Sequence, residues 1–182
     1  RDRKRGHEMP NGFKVLKKEQ LAPGIKRLVI SAPLVARKAR VGQFVILRVD
    51  EAGERFPLTR VDWDANDGTI TGIFQEVGVS TKKLGLLHVG DFVKDVFGPL
   101  CNPSEIENFG DVAVIGGGVG TALMYPQVSA LKEAGNRVVS ILGARTADLL
   151  LLEKELAALS DELFVSTCLL YTSPSPRDRT RS

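Results

Sequence analysis

The chain has 182 residues, 43% hydrophobic and 26% charged, with 25 Lys/Arg against 22 Asp/Glu for a formal net charge of +3. That length accommodates two small domains of ordinary globular composition. Two Cys exclude a disulfide framework, no apolar run reaches the ~18 residues that span a bilayer, and the start lacks a signal-peptide core, so a cytoplasmic setting without a membrane span is expected.

The positive charge belongs to the ends. Residues 1–8 hold four Lys/Arg and two acids, and residues 168–182 hold three Arg and one Asp, which leaves 18 basic and 19 acidic residues between them, a net −1. Nucleic-acid binding therefore loses its electrostatic support, and the one Trp, Trp63, sits in an acidic Asp62-Trp63-Asp64 turn rather than on a basic face. Cys168-Leu169-Leu170-Tyr171-Thr172-Ser173-Pro174-Ser175-Pro176-Arg177-Asp178 back-translates without a mismatch to a transposon-end sequencing adapter. Residues 168–182 are accordingly expected to be translated adapter, and residues 1–8 an untranslated or adapter leader before Met9.

Short alternating or apolar runs at Phe13–Lys17, Ile25–Ser31, Phe44–Val49, Phe56–Val61, Thr69–Glu76 and Asp91–Val96 are separated by Gly-bearing breakers. Six strands at that spacing predict a small closed antiparallel barrel over residues 9–105. One helix, Thr81–Leu87 with Ser80 as N-cap, interrupts them. Pro99–Asn108 reads as a connector. From residue 109 to 167 the pattern changes to strand Asp111–Ile115, helix Thr121–Ala134, strand Arg137–Gly143, Leu-rich helix Ala147–Ser160 and strand Leu163–Thr167. This order predicts an α/β unit with a parallel sheet, its first two strands buried on both faces, and an incomplete domain.

Four stretches carry chemistry. Arg55-Phe56-Pro57-Leu58-Thr59 places a permanent cation, a rigid Pro and a hydroxyl along one extended segment, and a guanidinium pairs with two phosphate oxygens at once. Gly78, Ser80 and Thr81 stand at a helix start, where free N–H groups favour phosphate. Gly116-Gly117-Gly118-Val119-Gly120-Thr121 joins a strand to a helix and lets backbone approach a pyrophosphate, although it is not the G-x-G-x-x-G fingerprint. Gly143-Ala144-Arg145-Thr146 follows the second strand, where an Arg can accept a 2′-phosphate. Phe74 reads equally as core or as a site-lining residue. No His/Asp/Cys constellation suggests a catalytic side chain or a metal site.

The order of these motifs resembles the ferredoxin–NADP reductase superfamily, and within it the small FAD- and NAD(P)-binding subunits of NADH-dependent ferredoxin:NADP oxidoreductase, or sulfide dehydrogenase. The resemblance runs from about Met9 to Thr167. It implies an FAD-binding barrel followed by a partial NAD(P)-binding domain. It places Arg55 on the FAD phosphates, Pro57 and Leu58 against the isoalloxazine, Thr59 near the reactive flavin nitrogen, Phe74 and Gln75 beside the flavin, and Gly78, Ser80 and Thr81 on the pyrophosphate. Gly116 to Thr121 and Arg145 fall to NAD(H) or NADP(H); the Arg leans to NADP, the resemblance to NAD. A [2Fe–2S] centre, held by a C-terminal Cys cluster lacking here, and two partners, a larger iron–sulfur subunit and ferredoxin, are implied beyond this chain. The electron-transfer subunit of class B dihydroorotate dehydrogenase is the alternative, and a non-catalytic nucleotide-binding module the second. Two departures stand out: Gly98-Pro99-Leu100-Cys101 replaces the family's Gly-Pro-Leu-Gly, and the Ala-Pro after the last Gly of the turn is Ala122-Leu123. With no partner base, Cys101 reads as inert.

Overall fold

The computed structural model describes residues 12–168; the leader and most of the expected adapter lie outside the described residues. Strands β1 (Phe13–Ala22), β2 (Ile25–Ser31), β3 (Phe44–Arg48), β4 (Phe56–Asp64), β5 (Thr69–Gln75), β6 (Phe92–Val93) and β7 (Asp95–Leu100) form one antiparallel sheet in the order β6-β1-β2-β5-β4-β3-β7. The expected strand over 91–96 is two, broken at Lys94. One piece pairs with β1 and the other with β3. A single run of chain thus joins both edges of the sheet and closes the barrel, which removes exposed edges. The barrel interior is filled by alternate residues such as Val15, Leu28, Val45, Leu47 and Leu58, each contributing about 1.5–3 kcal/mol on burial. A short helix, α1 (Pro33–Ala36), and the eight-residue α2 (Val79–Leu86) pack on it, α2 through Leu84.

The second half has strands β8 (Asp111–Gly117), β9 (Arg137–Ala144) and β10 (Glu162–Thr167) in a parallel sheet ordered β10-β9-β8, with helices α3 (Thr121–Glu133) and α4 (Glu153–Leu159). Val112 and Val114 pack against the helical layer. The other face of β8 carries exposed Ala113 and Ile115, the latter 71% exposed, so burial of β8 on both faces is not what the structure shows. Helix α4 is also shorter than expected. Residues 147–149 make a tight 3₁₀ turn, and Leu152 takes a left-handed φ of 55°.

The halves meet at a cluster of Ala22, Ile25, Val61 and Ile73 from the outer barrel wall against Ala122 and Leu151. The connector is clamped by Asn136, 2% exposed. Its Oδ1 accepts from Phe109 N–H at 2.6 Å, and its Nδ2 donates to Glu107 O and Leu131 O, each at 2.8 Å. A buried amide so satisfied fixes the crossing point of the chain.

Candidate functional site

The outer wall of the barrel is built by strand alternation. Val45, Leu47 and Leu58 point inward, so Ile46 and Pro57 point outward. Ile46 is the register partner of Pro57 on β4 and of Phe97 on β7, while Phe44 partners Thr59 and Leu100. Pro57, Ile46 and Phe97 therefore lie abreast, with Thr59 and Phe44 in the next row. Phe97 is 46% exposed, and the Arg55 guanidinium carbon stands 5.3 Å from its ring centroid. Such stacking orients an exposed Arg without neutralising it.

Two expected residues turn away from this wall. Leu58 lies inside the barrel so tightly that a Cβ at Gly72 would fall 2.5 Å from its Cδ2. Phe74 joins the same core. The Leu58 and Phe74 side chains are therefore packing residues and do not line the outer wall. Gln75 is exposed at the end of β5.

Helix α2 begins earlier than expected, with Gly78 rather than Ser80 as N-cap. Gly78 N–H donates to Thr81 Oγ1 at 3.0 Å, and that hydroxyl donates to Gly78 O at 3.1 Å. The first helical bond runs from Lys82 N–H to Gly78 O. The N–H groups of Val79, Ser80 and Thr81 precede it and have no intrahelical carbonyl, and the Gly cap leaves the approach clear. Lys83 Nζ holds Asp50 Oδ2 at 2.9 Å, tying α2 to the turn that leads into Arg55. That bond is the main reason the Asp50 carboxyl lies below its ordinary range.

The Gly-rich turn leaves β8 and passes through a 3₁₀ turn, Gly118–Gly120, into α3. Gly118 has a φ of 55°, a left-handed value that favours glycine, and Thr121 Oγ1 donates to its carbonyl at 2.8 Å. Thr121 is 1% exposed, so it shapes the turn from beneath instead of facing a ligand. Gly117 lies opposite Gly143 in the sheet, and Val119 packs on the barrel wall. Around them an open depression of about 480 Å³ is lined by Gly117, Gly118, Gly143, Ala144, Arg145 and Ser166, with Thr167 and Cys168. It lies at the carboxyl ends of the parallel strands, where α/β sheets take their ligands. Sequence reasoning gave Gly143 only as the lead-in to Arg145 and missed Ser166 here, and it missed Ile46 and Phe97 on the barrel. Strand-end position was the available signal for the first pair; cross-strand register, needed for the second, has none in sequence.

β4 joins the two areas. It presents Pro57 and Thr59 outward, and two residues on Val61 docks against Ala122 beside the Gly-rich turn. Among the described residues no group of three or more His, Cys, Asp or Glu could hold a metal ion, and no helix is long and apolar enough to cross a membrane.

No protein-family model matches the chain. It is 46% identical over 152 residues to the "dihydroorotate dehydrogenase B (NAD(+)), electron transfer subunit homolog" of Thermotoga maritima, over 84% of this chain and 54% of that protein. A solved chain of NADH-dependent reduced ferredoxin–NADP oxidoreductase, described in connection with flavin-based electron bifurcation, superposes with a TM-score of 0.81 at 44% identity, covering 87% of this chain and 57% of that one. The chain belongs to the ferredoxin–NADP reductase superfamily. Phthalate dioxygenase reductase shares the fold, with a TM-score of 0.71 at 18% identity over 89% of this chain and 52% of that one. The chain thus spans about half the length of the Thermotoga maritima and ferredoxin–NADP oxidoreductase relatives.

Proposed function

We propose that this chain is the FAD- and NAD(P)-binding portion of an electron-transfer flavoprotein subunit, moving electrons between NAD(P)H and ferredoxin or an iron–sulfur partner. The observation that carries the reading is β4, which follows directly on Arg55, turns Pro57 and Thr59 to the outer wall, and docks Val61 against Ala122 beside the Gly-rich turn. The residues fit FAD: an exposed guanidinium backed by Phe97, a glycine-capped helix with free N–H groups, and an outward Pro57 and Thr59 beside an apolar row. Arg55 with Gly78, Ser80 and Thr81 would hold the diphosphate, and Pro57, Thr59, Ile46 and Phe97 the ring region. Gly116, Gly117, Gly118, Val119, Gly120 and Arg145 would take the pyridine dinucleotide, with Thr121 setting the turn. When bound, FAD supplies the redox chemistry, accepting hydride and releasing single electrons. The chain's own part is to bind, orient and exclude water.

A [2Fe–2S] centre, a larger iron–sulfur flavoprotein subunit, and ferredoxin as electron carrier belong in this proposal to the length that the relatives have and this chain does not. The identity to a dihydroorotate dehydrogenase B electron transfer subunit homolog supports a second reading, with a different electron partner and the same cofactor sites. Both place the chain in the cytoplasm. The test is flavin selectivity. The purified chain should bind FAD more tightly than FMN in calorimetry, and Arg55→Ala should weaken FAD by about 2 kcal/mol through loss of charge-assisted hydrogen bonds. Equal affinity for FMN, or an Arg55→Ala variant with unchanged FAD binding, would count against the site.

A further inference from the structure

Helix energetics give no reason for the glycine in the last turn of α2. Gly inside a helix costs about 1 kcal/mol relative to Ala, yet Gly85 is the seventh of its eight residues. The surroundings supply the reason. A Cβ there would lie 1.8 Å from Glu76 Oε1 and 2.7 Å from its Cδ, so glycine is what lets that carboxylate lie against the helix. Lys26 on β2 completes the arrangement. Its Nζ donates to Glu76 Oε1 at 2.8 Å and to Gly85 O at 2.9 Å, and the Lys26 and Glu76 side chains are only 16% and 21% exposed. Lys18 on β1 donates to the same Gly85 carbonyl at 2.6 Å and to Leu87 O at 2.7 Å. Two ammonium groups close the carboxyl end of α2. One of them also ties that end to Glu76, two residues ahead of the Gly78 cap.

We propose that Lys26, acting with Glu76 and Lys18, is a positioning clamp that holds the amino end of α2 fixed and electropositive for the cofactor diphosphate. This rests on α2 being the diphosphate site. Neither lysine touches the cofactor in this arrangement; both act through the helix. Cations at the carboxyl end offset its partial negative charge, which leaves the positive pole uncompensated at the other end, about 12 Å away. The Glu76–Lys26–Gly85 link also closes residues 76–85 into a ring. The N–H groups of Val79, Ser80 and Thr81 are then ordered before a ligand arrives, which lowers the cost of binding.

The experiment compares FAD with riboflavin, which shares the flavin ring and lacks phosphate, on the full 182-residue chain. Lys26→Met should weaken FAD about tenfold and leave riboflavin within about twofold, and Lys26→Arg should restore FAD. Gly85→Ala, which displaces the Glu76 carboxylate and keeps both lysines, should give a smaller loss in the same direction. A Lys26→Met chain that loses FAD and riboflavin affinity equally, or neither, overturns the clamp. If wild type binds riboflavin as tightly as FAD, the diphosphate reading itself falls and takes the clamp with it. A wild type that prefers FAD, with a Lys26→Met variant that prefers it just as strongly, sinks the clamp alone.

Discussion

Cys101 shows how a single residue can disagree with its backbone. Its φ is 76°, a left-handed value that costs an L side chain roughly 1–2 kcal/mol and a glycine almost nothing. The residue is exposed and its carbonyl accepts from Gln43 Nε2 at 2.9 Å, so the turn is held by the backbone and not by the thiol. Cys101→Gly should therefore stabilise the chain, by about 1 kcal/mol once the added freedom of the unfolded glycine is subtracted; a denaturation midpoint that falls or stays put would show that the turn does not impose this φ. The position was readable in the sequence as a departure from Gly-Pro-Leu-Gly, but its cost was not, because only the folded turn fixes the dihedral. Leu58 and Phe74 make the converse case. Their chemistry suits a flavin wall, and the pleat turns them inward.

Most strands and helices were readable from periodicity, and the misplaced boundaries share one cause: neighbours decide where apolar residues go. Leu149 to Leu152 look like the first turn of a helix. In the fold they serve two clusters, Leu151 facing the barrel and Leu150 the α3 layer, with Leu152 reaching both. Serving both clusters goes with a left-handed φ of 55° at Leu152, a value a right-handed helix does not contain, so α4 starts only at Glu153. At the far end of that helix Asp161 stitches β9 to the entry of β10. Lys132 donates to it at 2.8 Å and Val138 N–H at 2.6 Å, and those bonds, the lysine's first, hold its carboxyl below the usual range. A lowered folded value means that the unfolded chain takes up the proton more readily. The contribution of Asp161 is thus complete above about pH 4, the unfolded value, and is lost as pH falls through the folded value. Thermal melting between pH 6 and pH 3 should fall less steeply for Asp161→Asn than for wild type. Matching slopes would mean that this carboxylate does not link the strands to pH.

For the whole molecule, the order of the motifs announced a barrel followed by a parallel sheet, but the way the two halves sit together was not readable. Ala22, Ile25, Val61 and Ile73 look like ordinary strand residues, and only closure of the barrel shows that they face outward and dock Ala122 and Leu151. That docking brings the Gly-rich turn to the wall that carries Thr59. It does not enclose the proposed dinucleotide site. The depression beside Gly117 and Arg145 is open, β8 lies at the edge of the sheet, Ile115 is bare, and the chain matches only 54% of the Thermotoga maritima relative's length. A pyrophosphate needs only the turn and the start of α3, so dinucleotide should still dock. Hydride transfer needs more: reacting atoms held within ~3–3.5 Å, where a misplacement of about 1 Å costs about 100-fold. This 182-residue chain should accordingly bind FAD yet be reduced by NADH at least about 100-fold more slowly than a full-length relative. Stopped-flow absorbance of the flavin measures both rates. Reduction at the relative's rate would mean that residues 12–168 already enclose the nicotinamide, and that its pocket lies elsewhere than beside Gly117.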